Sequence, residues 1–304
     1  MSLRLEMLQV ARLAPKLLGD STSLVVDFLH RQQTEEGGFK DRTGQSDLYY
    51  TVFGLDGLIA LQAGIPVERT ARYLETFGNA ERLDFVHLCC LARCRAALTD
   101  AQPGGKDAVV RLEQSHLAEA ILRGIERHRT PDGGYHAVPH EKSGTAYGSF
   151  LALGAYQDLA ARLPDPARLI RCLATLRTPD GAWSNEIGVP LGSTNATAAA
   201  VNALRTLQVP ISSSVGDWLL RQCHADGGFR ASPKAPLPDL LSTATALHAL
   251  AGMQVPLDGI RERCLDFVDS LWTNKGSFHG HWADEDLDSE YTFYGLLALG
   301  HLSL

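Results

Sequence analysis

Residues 222–229 read Gln222-Cys-His-Ala-Asp-Gly-Gly-Phe229, and a near copy stands earlier as Gln32-Gln-Thr-Glu-Glu-Gly-Gly-Phe39. The Gly-aromatic ending returns as Gly133-Gly134-Tyr135, Gly181-Ala182-Trp183 and Gly276-Ser277-Phe278. Counted from Gly37, the intervals are 96, 48, 46 and 49 residues, so the first spans two periods with one degenerate copy. A fixed period of this length marks an array of identical supersecondary units. Each phrase follows a helical pattern, such as Val215-Gly-Asp-Trp-Leu-Leu-Arg-Gln222. Each precedes a small-residue helix, such as Tyr50-Thr-Val-Phe-Gly-Leu-Asp-Gly-Leu-Ile-Ala-Leu61.

The second helices align on a threonine. Thr51-Val-Phe-Gly54, Thr145-Ala-Tyr-Gly148 and Thr292-Phe-Tyr-Gly295 are close copies, with Thr197 and Thr243 in the same column and Leu88 in the degenerate copy. Leu61-Gln-Ala-Gly-Ile-Pro66, Leu207-Gln-Val-Pro210 and Met253-Gln-Val-Pro256 each end one helix and place proline at the start of the next. The second helices are rich in Ala, Gly, Ser and Leu and nearly free of charge, which suits an inner ring buried on most faces. The first helices carry Arg168, Arg171, Arg261, Glu262 and Arg263 and suit an outer ring. The expected fold is all-α: an (α/α)6 toroid of six helical hairpins forming one domain over residues 1–304. Thr99 to Asp107, with Pro103-Gly104-Gly105, reads as a surface loop, not a linker.

Composition narrows the function. The 304 residues are 45% hydrophobic and carry a net charge of −7, which excludes nucleic-acid binding through bulk positive charge. No apolar run reaches the length of a membrane span. The first twenty residues are interrupted by Arg4, Glu6, Arg12 and Lys16 and read as an amphipathic helix, not a signal peptide. The six cysteines form no CxxC pair and fall in apolar stretches, so they read as reduced thiols of a cytoplasmic protein, with Cys90 and Cys94 packed in a core.

The Gln-to-Phe phrase resembles the Q-x3-G-x-W motif of squalene–hopene cyclases. Asp47-Leu-Tyr-Tyr-Thr-Val-Phe-Gly-Leu-Asp-Gly-Leu58 resembles the inner-helix motif of protein prenyltransferase β subunits. From about Ser21 to Leu302 the chain is identified as a member of the terpenoid cyclase/protein prenyltransferase superfamily. The resemblance implies the toroid fold and an isoprenoid substrate, a prenyl diphosphate or a polyprene, in a central cavity. It also implies a possible helical partner, since those β subunits work with a helical α subunit.

Four residues before the threonine column stand Asp47, Asp84, Glu141, Ser193, Asp239 and Asp288. Short acids at a helix start cap free N–H groups, and a ring of helix N-termini can also line a mouth that takes an anion. The loops entering these helices supply Lys40, Arg42, His136, His140, Lys142, Arg230, Lys234, His279 and His281. Gly228-Phe-Arg-Ala-Ser-Pro-Lys234 is similar to the prenyltransferase loop that holds a diphosphate. The family's zinc site needs Asp, Cys and His where this chain has Asp239, Leu241 and Tyr291, so the expectation is no zinc. The cyclases' D-x-D-D-T acid motif has its nearest match in Asp288-Ser-Glu290-Tyr-Thr292, which keeps an acid at the first position and Glu290 at that of the family's general acid. The resemblance thus makes Glu290 the candidate general acid, with Asp288 beside it, while Tyr291 replaces one acid.

Tyr49, Tyr50, Phe53, Tyr147, Tyr291, Phe293 and Tyr294 fall on or near inner helices, where aromatic faces serve either a core or a cation-stabilising cavity. The candidate substrate-binding set is Tyr50, Asp47, Tyr291, His136, Arg230 and Lys234. The run His279-Gly-His281-Trp-Ala-Asp284-Glu-Asp286-Leu-Asp288 is either a polar loop or a place for a divalent cation such as Mg2+. His87 reads as a core histidine. Three function classes result: an isoprenoid cyclase or transferase; a non-catalytic toroid binding a lipid-like or peptide ligand or serving as a subunit; and a carbohydrate-active toroid using Asp47 and Asp84.

Overall fold

A computed structural model describes residues 2–101 and 116–304. It begins with α1 (Leu3–Ala11), after which six helical pairs follow. The outer helices are α2 (Thr22–Gln32), α4 (Val67–Glu75), α6 (His116–Glu126), α8 (Pro166–Thr175), α10 (Ser213–Leu220) and α12 (Arg261–Ser270). The inner helices are α3 (Leu48–Ala60), α5 (Phe85–Ala101), α7 (Ala146–Asp158), α9 (Thr194–Thr206), α11 (Leu240–Gly252) and α13 (Ser289–Leu302). Each inner helix packs on the next, and α13 packs on α3, so the ring closes. This is the expected α/α toroid, with three two-residue strand pairs as its sheet content among the described residues. The loop expected from Thr99 is helical through Ala101, and its remainder lies outside the described residues. Among the described residues no helix is long and apolar enough to cross a membrane.

The repeated phrase has a mechanical explanation. In four of its five copies the glycine, at Gly37, Gly133, Gly227 and Gly276, turns with positive φ directly against the neighbouring outer helix. At Gly227 (φ +86°) a Cβ would stand 1.8 Å from the Arg263 carbonyl oxygen on α12. At Gly276 (φ +88°) it would stand 2.1 Å from that of Leu24 on α2, so the last turn closes against the first pair. Only glycine tolerates both the conformation and the approach. The aromatic ring that follows inserts under an inner helix: Phe39 lies over Gly54, where a Cβ would stand 2.0 Å from the ring. Its N–H donates to Thr51 Oγ1 at 2.9 Å, while that hydroxyl donates to the Asp47 carbonyl at 2.6 Å. Thr243 repeats the arrangement with Phe229 and Asp239.

This geometry corrects the register of the third unit. Thr145 caps α7 by accepting from the Gly148 N–H at 2.8 Å, and Ser149 takes the column position, accepting from the Tyr135 N–H at 3.4 Å. Glu141 is therefore an exposed loop residue, and the six caps are Asp47, Asp84, Thr145, Ser193, Asp239 and Asp288. Ser149 lies 14 residues after its aromatic, the spacing found from Trp183 to Thr197, Phe229 to Thr243 and Phe278 to Thr292. The Thr-Ala-Tyr-Gly likeness pointed four residues too early.

The N-terminal helix has a role that its sequence did not reveal. Leu3, Met7, Leu8 and Ala11 of α1 are buried, and the helix packs against α3, α7 and α13. Val10 sits so close to Gly300 that a Cβ there would meet its carbonyl oxygen at 2.1 Å. α1 thus plugs the end of the toroid where the inner helices finish. Burying each large apolar side chain contributes roughly 1.5–3 kcal/mol.

Candidate active site

Above the plug the inner helices enclose a cavity of about 380 Å³. Helical periodicity builds it in three layers, because positions two, six and nine of every inner helix share one face. The second residues are Tyr49, Val86, Tyr147, Asn195, Leu241 and Glu290, and the first five line the mouth end of the cavity. The sixth residues, Phe53, Cys90, Leu151, Ala199, Thr245 and Tyr294, all line its middle. The ninth residues are Asp56, Arg93, Gly154, Asn202, His248 and Leu297, of which all but Asp56 line its deep end. Phe53 meets the rings of Tyr49 at 5.0 Å and Tyr294 at 5.4 Å, so an aromatic wall runs down the α3–α13 side.

Glu290 completes the mouth layer from behind Tyr49. It is 9% exposed, and the Tyr49 hydroxyl donates to its Oε1 at 2.6 Å. Burial pushes the carboxyl up to about 7, against the opposing effect of the Tyr49 hydrogen bond. Tyr49, a lining residue that the sequence marked only as one aromatic among several, is thus the link between acid and cavity.

Asp288 has a different occupation. It caps α13 by accepting from the Tyr291 N–H at 2.9 Å and takes Arg42 Nε at 2.9 Å. Burial raises its carboxyl while Tyr291 and Arg42 oppose the rise. Arg42 also holds Asp284 at 3.0 Å and Asp286 at 3.3 Å, and lies 5.4 Å from the Tyr291 ring centroid. Three carboxylates of the run considered for Mg2+ are therefore engaged by one guanidinium. His281 is turned toward its own loop, accepting from the Ala283 N–H at 3.1 Å. These residues do not fit a cation. At the zinc position Leu241 lines the cavity, Asp239 caps α11 and Tyr291 is engaged with Arg42, a donor set that does not fit zinc either.

The other expected binding residues divide into two groups. Tyr50 is beside the acids: its carbonyl accepts from Ser289 Oγ at 2.9 Å, and burial, with the charges of Asp288 and Glu290, lifts its phenol to about 12. Tyr291 is there too. Asp47 caps α3 and approaches His87 Nε2 at 3.1 Å, while Asp84 approaches His87 Nδ1 at 2.9 Å. His87 is consequently no core histidine but a half-buried imidazolium clamped between two carboxylates, raised to about 9 chiefly by the Asp47 hydrogen bond. The clamp engages both carboxylates proposed for the carbohydrate reading. His136, Arg230 and Lys234 are not brought to the acids. The His136 ring bonds its own loop at Val138, Arg230 donates to the Arg221 carbonyl at 3.4 Å, and Lys234 is exposed.

The sequence reading missed the deep end altogether. Arg93 Nε donates to Asp56 Oδ2 at 2.7 Å. Arg4 rises from the plug, bonded to Asp100 and within 3.5 Å of Asp158 and 3.7 Å of Asp56. Asp56 and Arg93 were visible as charges in otherwise apolar inner helices, which was the available hint.

Comparison with known proteins fits this architecture. The family model for the prenyltransferase alpha-alpha toroid domain matches residues 8–100, 106–193 and 195–302. No curated protein matches the sequence at a significant level. Among solved structures, protein geranylgeranyltransferase-I from Candida albicans complexed with GGPP superposes with a TM-score of 0.70 at 14% identity, covering 92% of this chain and 90% of that one. The type II terpene cyclase MstE from Scytonema, in complex with merosterolic acid A, gives 0.65 at 16% identity, covering 95% and 97%. An unsaturated glucuronyl hydrolase specific for heparin gives 0.59 at 11%, covering 95% and 96%. At such identities the likeness is one of fold, which unrelated chemistries share. With its model matched along nearly the whole chain, the protein belongs to the prenyltransferase alpha-alpha toroid domain family.

Proposed function

We propose that this protein binds an isoprenoid chain in its central cavity and cyclises it in the manner of a type II terpene cyclase, with Glu290 as the proton donor. The observation that carries the reading is a carboxyl raised to about 7, buried at the head of an aromatic-lined cavity and bonded to a lining phenol. The carboxyl O–H would give its proton to a terminal carbon–carbon double bond, forming a C–H bond and a tertiary cation. The next double bond attacks that cation, closing a ring, and loss of a proton from carbon ends the sequence, so the product is an isomer of the substrate. The Tyr49 O–H supports the carboxylate as it forms, and the faces of Phe53 and Tyr294 favour the migrating positive charge. The cavity itself excludes water from the cation.

The same fold in the geranylgeranyltransferase-I structure holds GGPP, so a prenyl diphosphate is a reasonable trial substrate beside linear polyprenes. The second reading, a non-catalytic ligand-binding toroid, draws on one observation: Arg42 engages Asp284, Asp286 and Asp288, leaving Glu290 as the acid not paired with a guanidinium there. Incubation with these substrates and mass analysis of products decides between them. Glu290→Gln should lower product formation at least ~100-fold with the fold intact. Unchanged turnover in that variant would remove Glu290 from the chemistry, and no product from any chain would favour the binding toroid.

A further inference from the structure

In the first unit, side chains pin the turn of the repeated phrase to the next outer helix. Gln33 pairs with Phe39 across the turn, and its Nε2 donates to Thr70 Oγ1 on α4 at 3.3 Å. The fifth unit repeats this backbone. Cys223 pairs with Phe229 as Gln33 does with Phe39. A Cβ at Gly37 would meet the Arg69 carbonyl oxygen at 2.2 Å, and one at Gly227 would meet that of Arg263 at 1.8 Å, so Cys264 on α12 stands where Thr70 does on α4. The joint that links Gln33 to Thr70 therefore holds two thiols here. The Cys264 S–H donates to the Cys223 sulfur, and the Cys223 S–H donates to the His224 carbonyl at 3.7 Å. The Gly228 N–H donates to the Cys264 sulfur.

The other cysteines differ from Cys223. Cys89, Cys90, Cys94, Cys172 and Cys264 are buried, whereas Cys223 is partly exposed. Burial raises the thiols of Cys89, Cys90 and Cys94, and lifts Cys172 to about 12. At Cys223 the hydrogen bond from Cys264 outweighs burial and, with the Arg263 and Arg230 guanidinium groups, pulls the thiol down to about 7. The same bond raises Cys264. Toward a peroxide the thiolate is the attacking species, and a thiol poised beside it resolves the product. We infer that Cys223 and Cys264 form a peroxide-oxidisable dithiol, with Cys223 as the attacking sulfur and Cys264 as the resolving one. The Cys223 sulfur bonds to one peroxide oxygen and the O–O bond breaks. The other oxygen leaves as water with the thiol's proton, and a sulfenic acid remains. The Cys264 sulfur then displaces that hydroxyl, which leaves as water with the Cys264 proton. Two thiols and one peroxide become one disulfide and two waters, the sulfurs losing the two electrons that the peroxide gains. Hydrogen-bonded sulfurs are already in contact, so side-chain adjustment closes them to the ~2 Å of a disulfide, which staples the fifth turn to α12.

Hydrogen peroxide added to the intact protein near neutral pH, followed by mass analysis, tests the assignment. Before oxidation, iodoacetamide should alkylate Cys223 at least ~10-fold faster than any other cysteine of the folded chain. After peroxide the chain should have lost two hydrogens. The tryptic peptides 222–230 and 264–275, each holding one of the pair and no other cysteine, should be joined, and dithiothreitol should release them. Cys264→Ser should stop at a sulfenic acid on Cys223, trapped by dimedone, and Cys223→Ser should leave Cys264 unoxidised. The inference is overturned by six thiols that survive peroxide, by a bridge between other cysteines, by disulfide-linked dimers, or by oxygen added to Cys223 of the unaltered chain without a bridge. Oxidation of Cys264 at an undiminished rate in Cys223→Ser overturns it too. The joined peptides are read on the unaltered protein, so the test holds even if neither variant folds.

Discussion

Replacing Glu290 with glutamine should remove a specific part of the protein's pH-dependent stability. In the fold this carboxyl keeps its proton up to about 7, against an ordinary value of 4.5. As pH rises the unfolded chain loses that proton first, so unfolding becomes progressively easier between about 4.5 and 7. The contribution is complete below 4.5 and gone above 7. The difference, 7 less 4.5, at about 1.4 kcal/mol per pH unit, is roughly 3 kcal/mol. Glutamine still accepts the Tyr49 hydrogen bond but has no proton to lose. At pH near 5 the two proteins should melt almost together; near pH 8 the variant should lead by roughly 3 kcal/mol, about 5 °C for a chain of 304 residues. Melting curves recorded across this range and subtracted from each other isolate Glu290, because Asp158 (about 6) and His87 (about 9) titrate in both proteins. Parallel curves, or a variant that falls behind on the alkaline side, would refute the argument that burial governs this group.

His87 should give a second window. Its imidazolium is raised to about 9 from 6.5, so its stabilisation is full below 6.5 and disappears as pH climbs through 9; His87→Asn should flatten that alkaline decline, and an unchanged decline would mean the two carboxylates do not clamp it. Gly276→Ala should cost about 3 kcal/mol or more by denaturant unfolding, because φ is +88° and the new methyl would meet Leu24's carbonyl; a loss under ~0.5 kcal/mol would show that the first and last pairs are not closed there.

Much of the fold was legible because the repeat is local. A positive-φ glycine, an aromatic that must find a gap, and a hydroxyl that bonds that aromatic's N–H all leave marks at fixed spacing, so six hairpins could be counted from the chain. The marks failed where two candidates competed locally: Thr145 and Ser149 both look like column residues, and only the contact with Tyr135 separates them. Glu290 was legible by its place in an acid motif. Its environment was not, since Tyr49 is 241 residues away in sequence.

The sequence by itself determined the helical pairs, their inner and outer character and five of the six caps that start the inner helices, because these follow from spacing and side-chain type within a few residues. Tertiary structure alone decided which polar groups meet. Closure of the ring brings Arg42 onto Asp284, Asp286 and Asp288, and α1 folds back to set Arg4 beside Asp56, Asp100 and Asp158. A charge has no periodicity that names its partner. Its partner, its desolvation and therefore its chemistry are properties of the closed toroid.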